Sequence, residues 1–335
     1  MTALSAGKLR SMRRLADANG FFTMLAVDQR VPIMGPIEAA HGRVVDAEVT
    51  AVKRALLATL APAASAVLCD PMWAYPFSHD LVAPGQGLVV TLEDHRFEDG
   101  PGGRRTRTIP GWSVEKIKRM GGDGVKVLAY YRPDAAREVL AHQQAFVRAV
   151  GAACRRFDIP FVLELLVHPL AGTTDDPIGD PATRAELVLE SVRTFAAPEF
   201  GVDLFKLESP IPSAQLPDPD AAEADGVRAL FDRLDKAAGR PWVVLSAGAT
   251  AADFQRALTY ALPAGASGFL AGRAIWSQAF QHYPDLEAMA AALRGDSLPY
   301  LRALGDLTAR LGHPWRSPPM ADAGLDFPRR YGDME

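Results

Sequence analysis

The chain has 335 residues, 48% of them hydrophobic and 23% charged, with 36 Lys+Arg against 40 Asp+Glu for a net charge of −4. This composition supplies a full globular core and excludes a generally basic nucleic-acid-binding protein, so an anionic ligand must be met by local basic sites. Cys69 and Cys154 stand apart in apolar or helical surroundings with no CxxC or Cys/His grouping, which reads as buried, reduced thiols.

The amino-terminal segment places Lys8, Arg10, Arg13 and Arg14 among apolar residues without the apolar core of a signal peptide, so an amphipathic helix is expected within residues 1–20. No stretch approaches the ~18 consecutive apolar residues of a membrane span. A cytoplasmic protein, without membrane or nucleic-acid partners, is the expectation. Short apolar runs then recur at Phe22–Asp28, Ala66–Asp70, Leu88–Leu92, Gly124–Ala129, Phe161–Leu166, Leu204–Glu208, Trp242–Ser246 and Gly268–Ala271. They are the length of strands buried on both faces, and several follow a turn signal such as Gly20, Pro160, Pro241 or Gly265. Helical patterns lie between them: Asp46–Leu60, Ala135–Arg156 with an acidic cap from Asp134, Thr183–Phe195, Ala221–Ala238, Ala251–Leu262, and Leu286–Leu311 in two pieces.

Eight strands alternating with helices predict a single (β/α)8 barrel domain over residues 1–335, with a surface tail at 313–335. An open doubly wound sheet fits less well, because no GxGxxG follows an early strand and the glycine-rich GASGFLAGR comes too late. Residues 93–112, containing GPGGRRTRT, read as a long polar loop, either a lid or a solvated basic segment.

Two lysines occupy apolar runs where a charge is costly: Lys126 in GVKVLAY and Lys206 in DLFKLE. A strand lysine can snorkel to a barrel rim and pair with a carboxylate. Two of them at strand ends suggest instead an amine held for attack on a carbonyl. Functional groups of a barrel project from the carboxyl ends of its strands, and those ends here carry Asp28, Gln29, Arg30, Lys126, Glu164, Lys206, Glu208, Ser246, Gly248, Gly272 and Arg273. Lys206 and Glu208 are two apart, hence on one strand face, so Glu208 is a candidate to hold Lys206 in place. His168 reads as a surface or hydrogen-bonded histidine, and Trp73, Trp112 and Trp276 as packing residues. The seven histidines are scattered, so no metal site is expected, nor any cofactor.

The segments MLAVDQR (24–30), GWSVEKIKRMGGDGVKVLAYYRPD (111–134), IPFVLEL (159–165), DLFKLESP (203–210), PWVVLSAG (241–248) and GASGFLAGRAIW (265–276) together resemble the class I aldolases of the tagatose-1,6-bisphosphate aldolase and sulfofructosephosphate aldolase type. The resemblance implies a (β/α)8 barrel in which Lys206 forms a Schiff base with a ketose phosphate, with Lys126 and Glu164 as catalytic neighbours and Asp28 lining the same pocket. Chemically, Lys126 as a neighbouring cation would keep Lys206 nucleophilic, and Glu164 is the candidate for the proton transfers. Ser246, Gly248, Gly272 and Arg273 would take a phosphate, with Gln29 and Arg30 nearby on the substrate. The expected reaction is cleavage of D-tagatose 1,6-bisphosphate to dihydroxyacetone phosphate and glyceraldehyde 3-phosphate. Two alternatives are kept: cleavage of 6-deoxy-6-sulfofructose 1-phosphate, and a non-catalytic phosphosugar-binding barrel. Apolar segments near the carboxyl terminus allow a homo-oligomer.

Overall fold

The computed structural model describes residues 3–100, 102–171, 176–321 and 323–331. Eight parallel strands close into one barrel: β1 (Phe22–Ala26), β2 (Ala66–Cys69), β3 (Gly87–Thr91), β4 (Gly124–Tyr130), β5 (Phe161–Leu166), β6 (Leu204–Leu207), β7 (Trp242–Val244) and β8 (Gly268–Ala271). Each pairs with its chain neighbours, and β8 pairs back onto β1.

Period-two alternation divides each strand between two environments. Outward residues such as Leu25, Val67, Val90, Val127, Leu163 and Phe205 meet the surrounding helices. Inward residues, including Met24, Leu68, Val89, Val162, Leu204 and Leu270, fill the barrel interior. Helix α1 (Ala6–Leu15) closes the amino-terminal end, and its Met12 and Leu15 enter that interior cluster together with Trp315. Two residues further along, the same inward parity changes character: Val89 leads to Thr91, Val162 to Glu164 and Leu204 to Lys206. The interior is therefore apolar below and ionic at the carboxyl end of the strands.

The expected helices form with small shifts: α3 (Asp46–Leu60), α5 (Arg137–Arg156), α6 (Pro181–Phe195), α7 (Ala224–Ala238) and α8 (Ala251–Ala264). The last predicted helix does come in two pieces, α10 (Leu286–Ala292) and α11 (Leu298–Leu311), joined by a π-helical turn over Leu293–Ser297. The acidic cap expected before α5 is not made. Asp134 instead pairs with the buried Arg132 at 2.6 Å, and α5 starts after Ala136 without a side-chain cap.

Helices α2 (Val31–His41), α4 (Val114–Arg119) and α9 (Arg273–Phe280) were not predicted. The 93–112 segment holds a short antiparallel hairpin, Glu98–Gly100 against Gly103–Arg105, rather than unstructured loop. Its Arg104 lies 4.6 Å from the centre of the Tyr130 ring, which docks the hairpin beside the barrel mouth. No helix among the described residues is long and apolar enough to cross a membrane. Cys69 and Cys154 are both buried and unbridged, and burial pushes both thiols up.

Candidate active site

The register of the barrel builds the site. Glu164 and Lys206 are direct partners on β5 and β6, and Thr91 and Lys126 are partners on β3 and β4. All four point inward at the same end. The Lys206 amine lies 3.0 Å from Glu164 Oε2, and the same oxygen lies 2.7 Å from the Lys126 amine. Lys126 also reaches Asp28 Oδ2 at 3.1 Å and Glu93 Oε1 at 2.8 Å. Thr91 donates its hydroxyl to Asp28 Oδ2 at 2.9 Å. Arg30 completes the cluster, donating to the Glu93 carbonyl at 3.1 Å with its guanidinium 3.6 Å from the Glu93 carboxylate.

The charges in this cluster are taken from water, so pairing decides their states. Burial alone would lower Lys126, but Asp28, Glu164 and Glu93 outweigh it and hold the amine above its ordinary value, a firm cation. Burial would raise Asp28, yet Lys126, Lys206 and Arg30 together hold it well below the usual carboxylate range. Glu164 follows the same logic: burial raises it, and the two lysines bring it below its ordinary value. At Glu93 burial wins over Lys126 and Arg30, and its pKa is raised. Lys126 is thus the expected cation beside Lys206, held there by three carboxylates.

The sequence reasoning missed Glu93. It lies two residues beyond β3, at the start of a segment read as polar loop, and a β-bridge of Glu93 with Thr108 fixes it over the barrel. Lys53 was also missed. It sits in α3, fully buried, and its amine donates to the carbonyls of Val27 and Gln29 at 2.8 Å each and to Asp70 at 2.6 Å. It therefore fixes the turn that presents Asp28, Gln29 and Arg30. In sequence it looks like any exposed helix lysine.

Glu208 does not hold Lys206. Beyond the end of β6 it turns outward, accepting the Val167 amide at 2.6 Å and pairing with Arg184 of α6. Burial pushes Glu208 up to about 7 against the pull of Arg184. Both residues line a cleft of about 300 Å³ with Ser209, Ser246 and Gly248.

The residues proposed for phosphate gather on the adjoining side of the mouth. Ala247 and Gly248 both take left-handed backbone conformations, φ 47° and 82°, after β7. A side chain on Gly248 would strike the Arg273 guanidinium, 2.9 Å from where its Cβ would sit. Gly272 precedes α9 so closely to the Gln29 amide and the Ala26 carbonyl that no side chain fits there. Gln29, Gly272, Arg273, Gly248 and Ser246 thus run along β1, β8 and β7. Among the described residues, Arg273 makes no ion pair with the carboxylates of the lysine cluster, which are held by Lys126, Lys206 and Arg30.

His168 differs from its expected surface or hydrogen-bonded state. It is 3% exposed, edge-on to Tyr130 at 5.3 Å, and among the described residues neither ring nitrogen has a hydrogen-bond partner. Burial, with Arg104 and Arg132 nearby, pushes it down to about 4. The native state therefore resists a proton that the unfolded chain accepts at 6.5, and the protein loses stability as pH falls from about 6.5 to about 4. His168→Phe keeps the ring and removes the titration. Its chemical-denaturation midpoint should fall less than that of the wild type across this window. Trp276 is buried with its indole N–H on the Ala26 carbonyl at 3.1 Å, and the indoles of Trp112 and Trp73 donate to the Thr91 carbonyl and Asp46. Among the described residues, no group of three or more His, Cys, Asp or Glu side chains is arranged to hold a metal.

A closed parallel barrel with a paired amine and carboxylate buried at its carboxyl end has its ionic cluster where barrel enzymes hold their active sites. The chain belongs to the DeoC/LacD aldolase family, whose model matches residues 22–278, and it is an aldolase. It is 28% identical over 334 residues to tagatose 1,6-diphosphate aldolase 2 of Enterococcus faecalis, covering 97% of this chain and 100% of that protein. It is 30% identical over 297 residues to tagatose 1,6-diphosphate aldolase 1 of Streptococcus mutans, covering 86% and 90%. A solved Schiff-base-forming fructose-1,6-bisphosphate aldolase shares the fold with a TM-score of 0.57 at 18% identity, over 90% of this chain and 99% of that one. The fructose-bisphosphate aldolase of Plasmodium falciparum does so with 0.70 at 14% identity, over 93% and 98%.

Proposed function

We propose that the protein is a class I aldolase that cleaves D-tagatose 1,6-bisphosphate to dihydroxyacetone phosphate and glyceraldehyde 3-phosphate through a Schiff base on Lys206. The observation that carries this reading is the Lys206 amine, 3.0 Å from a carboxylate that a second, firmly cationic lysine also holds. The names of the Enterococcus and Streptococcus relatives support the choice of ketose.

The chemistry follows from these groups. The neutral Lys206 amine attacks C2 of the ketose, and the carbinolamine loses water to give an iminium. Glu164, in contact with the attacking nitrogen, carries the protons that this addition and dehydration exchange. Glu164 then takes the C4 hydroxyl proton, the C3–C4 bond breaks, and its electron pair passes into the iminium as an enamine. The aldehyde leaves. Glu164 returns the proton to C3, and water releases dihydroxyacetone phosphate and the free amine.

Electrostatics favour the iminium. Glu164, 3.0 Å from the attacking nitrogen, and Asp28 beyond it are both held below their ordinary pKa values, so carboxylate charge stands where the cation forms. A site preorganised for that cation stabilises the intermediate without moving.

Arg273, over Gly248, is assigned to a substrate phosphate. Arg273→Ala should raise KM for the bisphosphate by about 10–100-fold, the worth of a charge-assisted contact. An unchanged KM would remove Arg273 from the phosphate site. The substrate is tested by a coupled assay of dihydroxyacetone phosphate release from D-tagatose 1,6-bisphosphate and from 6-deoxy-6-sulfofructose 1-phosphate. A higher kcat/KM for the tagatose ester is expected, and the reverse order would reassign the substrate.

A further inference from the structure

A second cavity, of about 660 Å³, opens at the amino-terminal end of the barrel, across the apolar interior from Lys206. It is walled by the segments that enter β5, β6 and β7, by α1, and by Trp315, Pro318 and Tyr331 of the carboxyl-terminal segment. Its volume lies within the roughly 300–1,000 Å³ of small-molecule sites.

Among the described residues, five cations line it, Lys8, Lys118, Arg155, Arg156 and Arg240, against two carboxylates, Asp158 and Asp203. Both carboxylates are committed to the fold. Asp203 accepts from the Lys8 amine at 2.7 Å and from the Phe161 amide at 2.8 Å. Asp158 accepts the amides of Gly7 and Lys8 and the hydroxyls of Ser5 and Tyr331. The cations are less fully used. Among the described residues, Lys118 makes one hydrogen bond, to the Asp158 carbonyl at 2.7 Å. Arg240 donates from both terminal nitrogens to the carbonyls of Val202 and Ala196, while its buried Nε has no partner among those residues. Arg155 and Arg156 are exposed at the rim, Arg156 with its guanidinium 5.4 Å from the Phe157 ring.

A chain of net charge −4 thus concentrates positive charge around one cavity far from its catalytic lysines. Met12, Phe157, Val202 and Trp315 give the cavity an apolar side. Stability does not require this combination, since cations that face one another around a cavity repel. We propose that the cavity binds a small organic anion with a flat ring, the size of a nucleoside monophosphate. Its acidic group is taken by Arg240, Lys118 and the rim arginines, and its ring lies along the apolar wall. This inference does not rest on the aldolase chemistry, because none of these residues belongs to the active site.

Calorimetric titration of the full chain with AMP tests it, with adenosine and inorganic phosphate as separate halves of the probe. One AMP should bind per chain with a Kd of about 10–100 μM, and each half at least about tenfold more weakly. Saturating dihydroxyacetone phosphate should leave AMP binding unchanged. The rim variant Arg155→Glu/Arg156→Glu, which alters exposed side chains, should weaken AMP about tenfold or more while turnover stays at the wild-type rate. Arg240→Met should do the same, and the rim variant decides the matter if Arg240→Met fails to fold. No AMP binding at about 1 mM, binding indifferent to the rim reversal, or binding lost to dihydroxyacetone phosphate would each overturn the proposal.

Discussion

Lys206→Met should lower kcat by about 10⁴-fold or more, ~5.5 kcal/mol of transition-state stabilisation, while the protein remains folded. The size of the effect follows from the role. Without the amine there is no iminium, and the C3–C4 bond has no electron sink, so the remaining contacts can bind the ketose but not open it. The fold survives because methionine matches the lysine stem, and because Glu164 keeps the Lys126 ammonium at 2.7 Å. Substrate affinity, measured by calorimetry, should change far less than turnover. Retention of more than about one-tenth of the wild-type rate would contradict a covalent role.

Lys126→Met should act on stability as well as on rate. It removes a cation that touches Asp28, Glu93 and Glu164 together, at 3.1, 2.8 and 2.7 Å. Stripping one partner from a buried ionic group costs about 3–5 kcal/mol, because the remaining charges stay desolvated and now repel one another. The pH dependence carries a specific sign. The orphaned carboxylates acquire native pKa values above those of the unfolded chain, so the variant recovers stability as pH falls and they take up protons. Its stability is then lost as pH rises through those native values. Urea midpoints for wild type and Lys126→Met should differ most near neutral pH and converge toward acid. Equal midpoints at neutral pH would show that Lys126 is not the keystone of the cluster. Turnover should fall in the same variant, because an uncompensated carboxylate cluster strengthens its hold on protons that Glu164 must exchange.

Much of this was legible in the amino-acid sequence, for identifiable reasons. Buried parallel strands leave short apolar runs, and all eight runs match barrel strands. The lysines were visible because Lys126 and Lys206 interrupt those runs. Reading the carboxyl ends of the strands gathered Glu164 and Lys206 as candidates, and in the barrel they are direct partners on β5 and β6.

What escaped was set by contacts between distant segments. Glu93 lay in a stretch of charged residues where nothing local separates a loop glutamate from one folded over a barrel. Lys53 occupies an ordinary amphipathic helix, and only the tertiary approach of the Val27–Gln29 turn makes it a buried clamp. Asp134 has the chemistry of a helix cap, but Arg132, two residues away, takes it first. Glu208 shares strand parity with Lys206, yet the strand ends at Leu207, and beyond it parity no longer governs direction. His168 has no partner at either nitrogen among the described residues, a state that no local pattern announces.

The central claim is a covalent bond between a ketose phosphate and Lys206, and borohydride trapping tests it most directly. The enzyme is mixed with dihydroxyacetone phosphate, reduced, and read by intact mass and peptide mapping. One stable adduct per chain, mapped to Lys206 and absent from Lys206→Met, is the predicted result. An adduct on Lys126, or none at all while calorimetry shows that dihydroxyacetone phosphate binds, would contradict the Schiff-base assignment.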